Sequence, residues 1–587
     1  MNRFQELTRR TFLRGVAGAA TFMVPGCRDI SPGLAQRASG KKPNIILVMI
    51  DNVGFAEIGI NGNKLVKTPH LDRFAREGVR LNRFYSNPLC APARACLMTG
   101  RYYYRTGVIH TSRGGAKMHG DEVTIAELLK KAGYATGIFG KWHLGDNYPM
   151  RPQDQGFNET LVHKSGRLGQ VPDSPNTYIN PKLWRNGQFV QTRGYCTDVF
   201  TNAALNFVKE HRNQPFFMYL PTNIAHASSE VGLEVPGKYS APYKAMGLDA
   251  KTATVCGMID NFDENFGRLL ARLDSLGLRE NTLIFFLSDD GSVRINKGGL
   301  RGRGYSNLYE GSLKSPCFAQ WPGRFQGGLE IDRIASHIDI LPTLLDACSV
   351  KTHSAPAVDG VSLLTLLQGK TEQRPDRMLF LQCHRGLTPQ RYQNCAVITQ
   401  RFKLIGYPDT FNKRQLKTSR DNPILELYDL PADPKEEKNV AGKYPEVVAR
   451  LRTAYDNWFD DVRSSRQFAP GLIHIGSDAE KTTYLCRYQD SSYINQKPTG
   501  WPVYIERSGK YKFTINRGDS LEKGRMCVSL DARQMSQPLG RGENQAVFSL
   551  QRGKAKLNVW VEEEGKVYVS RANEDNIGDI TVRPIIK

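Results

Sequence analysis

The sequence lacks paired cysteines: its 11 cysteines form no Cys-x-x-Cys spacing. That argues against both a zinc site and a dense disulfide framework. Beyond the first 30 residues no stretch offers the roughly 18 uninterrupted apolar residues of a membrane span, so the body of the chain is not read as membrane-embedded. Internal repeats and low-complexity tracts are missing too, which excludes repeat architectures. There is no helix-turn-helix, finger or aromatic nucleic-acid signature, although Lys and Arg (80) outnumber Asp and Glu (58). The basic residues are dispersed instead of forming runs. A charge of +22 spread in that way points to anionic small molecules or glycans and away from nucleic acid.

The N-terminus reads TRRTFLRG followed by VAGAATFMVPGC. A twin-arginine pair ahead of a short apolar run is the pattern of a folded-export signal, so residues 1–40 are expected to be signal and linker, read by the Tat export machinery. The protein is expected to be exported, periplasmic or at the cell surface. Val24-Pro25-Gly26-Cys27 resembles a lipoprotein cleavage site, which offers Cys27 as a lipid anchor.

Length allows one large α/β domain with smaller appendages. NIILVMID, from Asn44, is an unbroken apolar run, as in a strand covered on both faces. TLIFFLSDD, from Thr282, is a second, and both end in acids. Such strands imply an α/β sheet with its site at their carboxyl edge. TIAELLKKAGY, FDENFGRLLARLDSLGL and ASHIDILPTLLDAC carry apolar residues at helical spacing and are expected to be helices. The expected catalytic domain spans 41–375, and a smaller α+β lobe over 376–465 completes it. From 466 to 587 short alternating segments separated by Gly and Asn predict an antiparallel β-sandwich.

Asp51-Asn52 and Asp289-Asp290 directly follow the two buried strands. A parallel sheet would bring the pairs together as a hard oxygen site of three carboxylates and an amide, suited to one calcium ion. One such pair would serve as readily to cap a turn or helix; two pairs favour an ion. Between them lies NPLCAPARACLMTGRYYYRTG, in which Cys90, Pro92 and Arg94 form CxPxR. Pro92 suits the first turn of a helix whose N-terminus would face an anion beside Cys90. GYATGIFGKWHLG places Lys141 and His143 two residues apart, a cation and an imidazole able to bind an oxyanion and move a proton. PFFMYLPTNIAH is a strand-like run ending in His226.

In this order the segments resemble the type I, arylsulfatase-like sulfatases of the alkaline phosphatase superfamily, from about Asn44 to Val462. LRGRGYSNLYEGSLKSP and ELYDLPADPKEEKNVA extend the likeness. The resemblance implies that fold, with a central mixed sheet flanked by helices, and hydrolysis of a sulfate ester, either of an aryl sulfate or of a sulfated carbohydrate or polysaccharide. It implies that a maturating enzyme oxidises Cys90 to formylglycine, whose hydrate attacks sulfur. Arg94 and Lys141 would then hold the formylglycine and the metal-side oxygens. His143 would orient the hydrate and take its proton, and His226 would protonate the leaving oxygen. Lys141, His226 and Arg303 would bind substrate, Arg303 standing one residue off the position of the family's sulfate-binding lysine, with Lys297 and Lys314 as weaker substitutes.

Two departures from the family pattern accompany the match. The acid pairs read Asp-Asn then Asp-Asp where relatives have the reverse, which preserves ligand number and charge; Ala93 stands where the signature has serine. The rivals are a phosphate or phosphonate ester hydrolase on the same fold and a non-catalytic protein that binds sulfated glycans.

Overall fold

The computed structural model describes residues 41–585 apart from 113, 171, 292–293, 296–297, 305, 352–355, 371–375, 387, 414–415, 417, 487–499, 517–523 and 570–578. The expected export signal, Cys27 and Lys297 lie outside the described residues.

The apolar run at Asn44 becomes the strand Asn44–Ile50, buried along its whole length. It lies between the parallel strands Phe216–Pro221 and Thr282–Ser288 near the middle of a ten-stranded sheet. Its side chains alternate between two cores: Ile45, Leu47 and Met49 join one, and Ile46, Val48 and Ile50 the other. A strand whose two faces are both covered has no polar alternation, which is why the sequence shows none. The strand Ala135–Lys141 continues the parallel set beside Phe216–Pro221. Antiparallel pairing of Cys317–Gln320 with Thr282–Ser288 makes the sheet mixed.

Helices pack on both faces. Ile125–Lys131 starts with a capping box between Thr124 and Glu127. The helix expected over 262–278 is longer than its sequence pattern, running Ala250–Ser275, because the Asp249 carboxylate accepts from the Lys251 and Thr252 N–H groups and starts it twelve residues earlier. No helix of the described residues is long and apolar enough to cross a membrane.

The next segment forms a four-stranded antiparallel sheet, Leu379–Gln382, Cys395–Ile398, Phe402–Gly406 and Leu425–Asp429, followed by the helix Pro445–Arg466. Two further sheets share a core that includes Val503, Phe513, Val528, Phe548 and Leu557. They match the expected sandwich except at one edge, where Ile473–Ile475 pairs parallel to Trp501–Ile505. That short strand enters from the preceding helix, so no hairpin constrains its direction.

A buried ion cluster ties the four-stranded sheet to the main domain. The Lys403 ammonium is 3.1 Å from Glu310 and 2.9 Å from Glu436, and Glu436 also accepts from the Glu310 N–H at 2.6 Å. Burial first, and the neighbouring Glu310, raise the Glu436 carboxyl above its ordinary range, against the pull of Lys403. Lys403→Met should cost about 3–5 kcal/mol, because it strands two facing acids in the interior. Urea unfolding at neutral pH measures this; a change under about 1 kcal/mol would show that the cluster holds nothing together.

Candidate active site

Register decides which acids meet. Ile50 pairs with Ser288 across the two parallel strands, so Asp51 and Asp289 leave the sheet side by side. The Asp289 N–H donates to the Ile50 carbonyl at 3.0 Å, and the Asn52 N–H to Asp289 Oδ1 at 3.2 Å. Asn52 turns with φ of +60°, and its side-chain Nδ2 is buried without a hydrogen-bond partner. Asp51, Asp289 and Asp290 are all buried.

Cys90 opens the helix Cys90–Thr99, every residue of which is buried. The preceding Leu89 has φ +77° and ψ +146°, a region that costs a side-chain-bearing residue about 1–3 kcal/mol and that glycine would occupy more easily. The turn delivers the Cys90 Sγ to 3.7 Å from Asp51 Oδ1, where the thiol donates to the carboxylate. The ligand atoms of Cys90, Asp289 and Asp290 all lie within 4.8 Å of one another, as do those of Asp51, Cys90 and His226. Burial first, and the carboxylate of Asp51 next, push the Cys90 thiol well above its ordinary value. As encoded it is therefore a protonated, poorly nucleophilic thiol at neutral pH.

Four residues along the same helix, Arg94 is fully buried and spans the acids: Nη2 donates to Asp289 Oδ2 at 2.8 Å and to Asp51 Oδ2 at 3.3 Å. Its Nη1 donates to the Lys141 carbonyl at 3.2 Å and the Tyr219 hydroxyl at 3.4 Å. Lys141, the last residue of its strand, gives its ammonium to Asp51 Oδ2. Burial alone would depress that ammonium, but the surrounding anions, Asp51 foremost, hold it above its ordinary value.

The two histidines are neutral at ordinary pH. Burial and then the Lys141 cation hold both imidazoles well below their usual range. A carbonyl only accepts, so the ring nitrogen facing it carries the hydrogen. His143 therefore donates Nε2–H to the Thr111 carbonyl at 3.0 Å, and its buried Nδ1 lacks a partner. His226 donates Nδ1–H to the Ala227 carbonyl at 2.9 Å, which leaves the lone pair on Nε2. His143 thus presents an acceptor, and so does His226 until it gains a proton.

Three cations expected at the site fare differently. Arg303 is exposed, and its Nη2 donates to the Arg294 carbonyl at 3.4 Å. Lys314 is half-buried with its ammonium 4.1 Å over the Phe55 ring, and Lys297 is not described. Arg294, which sequence reasoning passed over, adds a smaller share, after burial, Lys141 and Arg167, to what depresses the His226 imidazole. Its loop is pinned by Glu57, a buried carboxylate that accepts from the N–H groups of Gly54, Arg294 and Ile295 and is pushed up to about 7 by burial. His337 was also missed. Its Nε2–H donates to the Ser288 carbonyl at 2.9 Å while Nδ1 accepts from the Asn87 N–H at 3.3 Å, stitching the acid-bearing strand to the loop before Cys90. None of the three sits in a pattern that single-sequence reading could flag, because Glu57 and His337 bind backbone atoms remote in sequence and Arg294 acts through its charge on a remote ring.

Comparison with known proteins agrees with this arrangement. A family model described as Sulfatase matches residues 43–350. A second, described as N-sulphoglucosamine sulphohydrolase, C-terminal, matches residues 305–458. N-acetylgalactosamine-6-sulfatase of Mus musculus is 32% identical over 378 residues, covering 58% of this chain and 70% of the relative. Arylsulfatase A of Homo sapiens is 30% identical over 472 residues, 71% of this chain and 87% of the relative. A protein solved in complex with its substrate D-glucosamine-2-N,6-O-disulfate shares the fold, with a TM-score of 0.56 at 23% identity over 73% of this chain and 99% of that one. With more than half of its length matched by the family and its acid pairs gathered around Cys90, the chain belongs to the sulfatase family of the alkaline phosphatase superfamily and is a sulfuric ester hydrolase.

Proposed function

We propose that this chain removes sulfate from a sulfated carbohydrate, using a formylglycine made from Cys90 beside a calcium ion held by Asp51, Asn52, Asp289 and Asp290. The observation that carries the reading is the burial of Cys90 against those acids, with Arg94 and Lys141 as the cations bonded to them. Three buried carboxylates at one sheet edge are costly unless cations join them, and a divalent ion would add to the positive charge of Arg94 and Lys141. The four candidate ligands offer hard oxygens, as would a formylglycine hydrate, so the donor set fits calcium. A bound calcium would supply Lewis-acid polarisation, and the formylglycine hydrate the attacking oxygen.

The chain's own side chains do the rest. Arg94 and Lys141 fix the acids and offer positive charge to the sulfate oxygens as charge grows in the transition state. The Nδ1 lone pair of His143 can take a proton from the group at position 90. His226 can protonate the leaving alcohol oxygen only as imidazolium, a form that a bound sulfate anion favours. The protonated thiol at Cys90 would be ill suited to attack, which supports its conversion before use.

A narrow cleft of about 30 Å³ opens beside His143, lined by residues that include Lys117, Asp146, Ser165 and Gln170. The side chains of Lys117, Asp146, Ser165 and Gln170 carry donors and acceptors of the kind that bond sugar hydroxyls. The name of the murine relative, N-acetylgalactosamine-6-sulfatase, and the sulfated sugar bound by the structural neighbour point the same way. The twin-arginine motif supports export through the Tat machinery to the periplasm or cell surface, with Cys27 as a lipid anchor. Because that route carries folded protein, a maturating enzyme would act on Cys90 before export.

Purified protein matured in a host that converts such cysteines should release sulfate from p-nitrophenyl sulfate and from at least one member of a panel of sulfated monosaccharides. Turnover of the aryl ester with none of the sugars would contradict the carbohydrate reading. Cys90→Ala should lower turnover by about 10⁴-fold or more; activity near that of the unaltered protein would refute the nucleophile. Prolonged dialysis against a calcium chelator should cut activity at least about tenfold, reversibly on adding calcium back. Unchanged activity after calcium is shown by elemental analysis to be gone would contradict the metal assignment.

A further inference from the structure

We infer that the C-terminal β-sandwich positions the substrate cavity, acting through Glu480, an inference whose kinetic arm rests on the sulfatase reading above. Two of the cavity's walls come from separate loops, at Ala116 and Lys117 and at Gly145 and Asp146, either side of His143. The lead-in to the sandwich and its first turns grip both loops from behind. The Gly471 N–H donates to the Lys117 carbonyl at 3.2 Å, and His119 Nε2–H to the Ala469 carbonyl at 2.8 Å. A side chain at Gly471 would stand 2.5 Å from the Met118 carbonyl oxygen, so the approach is a backbone-to-backbone one.

The second wall is held by a buried acid. Glu480 Oε2 accepts from the Tyr148 N–H at 3.0 Å and from Asn147 Nδ2 at 3.5 Å, and Oε1 faces Arg151 Nη1 at 3.5 Å. Around it, Asn147 Nδ2 donates to the Tyr484 carbonyl at 2.9 Å, Arg151 Nη2 to the Ala479 carbonyl at 3.0 Å, and the His474 N–H to the Tyr148 carbonyl at 3.1 Å. Met150 completes the link: its side chain is buried in the sandwich core, while its carbonyl accepts the indole N–H of Trp142 at 2.9 Å. Trp142 stands between Lys141 and His143 in the chain. The loop 145–151 is thus suspended between the catalytic strand and the sandwich, and removing the Glu480 carboxylate takes the acceptor from the part-buried Tyr148 N–H and one of two facing acids from Arg151, which keeps Asp154 at 2.7 Å.

Steady-state kinetics on p-nitrophenyl sulfate with the full chain test this, alongside amide hydrogen exchange of peptides covering 143–151. Glu480→Ala should raise KM about fivefold or more by freeing the wall, while kcat changes less than about threefold, and exchange across 145–151 should quicken. Glu480→Gln keeps an oxygen for the Tyr148 N–H and should stay within about twofold of the unaltered KM. A merely structural role would reduce the folded fraction, so a fall in kcat at fixed KM overturns the inference, as does no change at all. Should Glu480→Ala fail to fold, exchange of the unaltered protein in sub-denaturing urea decides: 143–151 must lose protection together with 473–485, and protection that outlasts the sandwich's overturns it. An unaltered protein inactive on p-nitrophenyl sulfate would count against the sulfatase reading alone, because the exchange measurements still decide the positioning.

Discussion

The burial of three carboxylates at one sheet edge governs this molecule. Asp51, Asp289 and Asp290 stand in the interior, with Arg94 and Lys141 bonded to the first two. Isolated charges in such surroundings would be prohibitively costly, so each must be paired and hydrogen-bonded. Much of the nearby architecture follows from meeting that demand. The parallel register of two apolar strands sets the acids side by side, and the helix from Cys90 brings Arg94 between them. Lys141 arrives at the end of a neighbouring strand, and Tyr219 on another steadies the guanidinium. In the proposed reaction a divalent ion would answer the acids, and the positive charge of Arg94 and Lys141 would answer the ester.

The same electrostatics assign the histidines. Cations crowd both rings and burial strips them of water, so each is neutral, and the carbonyl that each faces fixes its tautomer. His143 then presents an acceptor without further adjustment. His226 needs a proton first, and the sulfate anion is what can supply the field for it. Which carbonyl each ring meets decides which nitrogen is left as acceptor, Nδ1 in His143 and Nε2 in His226.

What could be read from the chain and what could not divide along physical lines. NIILVMID and TLIFFLSDD announced buried strands because nothing in them tolerates water on either face, and the acids after them had to emerge at the same edge. Cys90, Arg94, Lys141 and Asp51 meet as their motifs implied, since short spacings on regular elements carry over directly into distance. The long helix was shortened in the sequence reading because its first half, AKTATVCGMIDN, lacks a clean amphipathic stripe and is started by an Asp cap. Arg303 illustrates the opposite limit. Its expected place rested on spacing across a loop, where one inserted residue can redirect a side chain, and here it is exposed, while Arg294, held by Glu57 through backbone bonds, contributes charge beside His226. Nor could alternating polarity over residues 466–587 disclose that Glu480 reaches back to the loop after the GKWHLG motif, because a buried carboxylate bound to one main-chain N–H and two side chains leaves no periodic trace.

The account turns on the chemical state of one side chain in those surroundings. Peptide mass spectrometry across Cys90, on active protein, tests it most directly. The spectrum should show the aldehyde or its hydrate in place of the thiol; a protein that cleaves sulfate esters while position 90 carries only unmodified cysteine would contradict it.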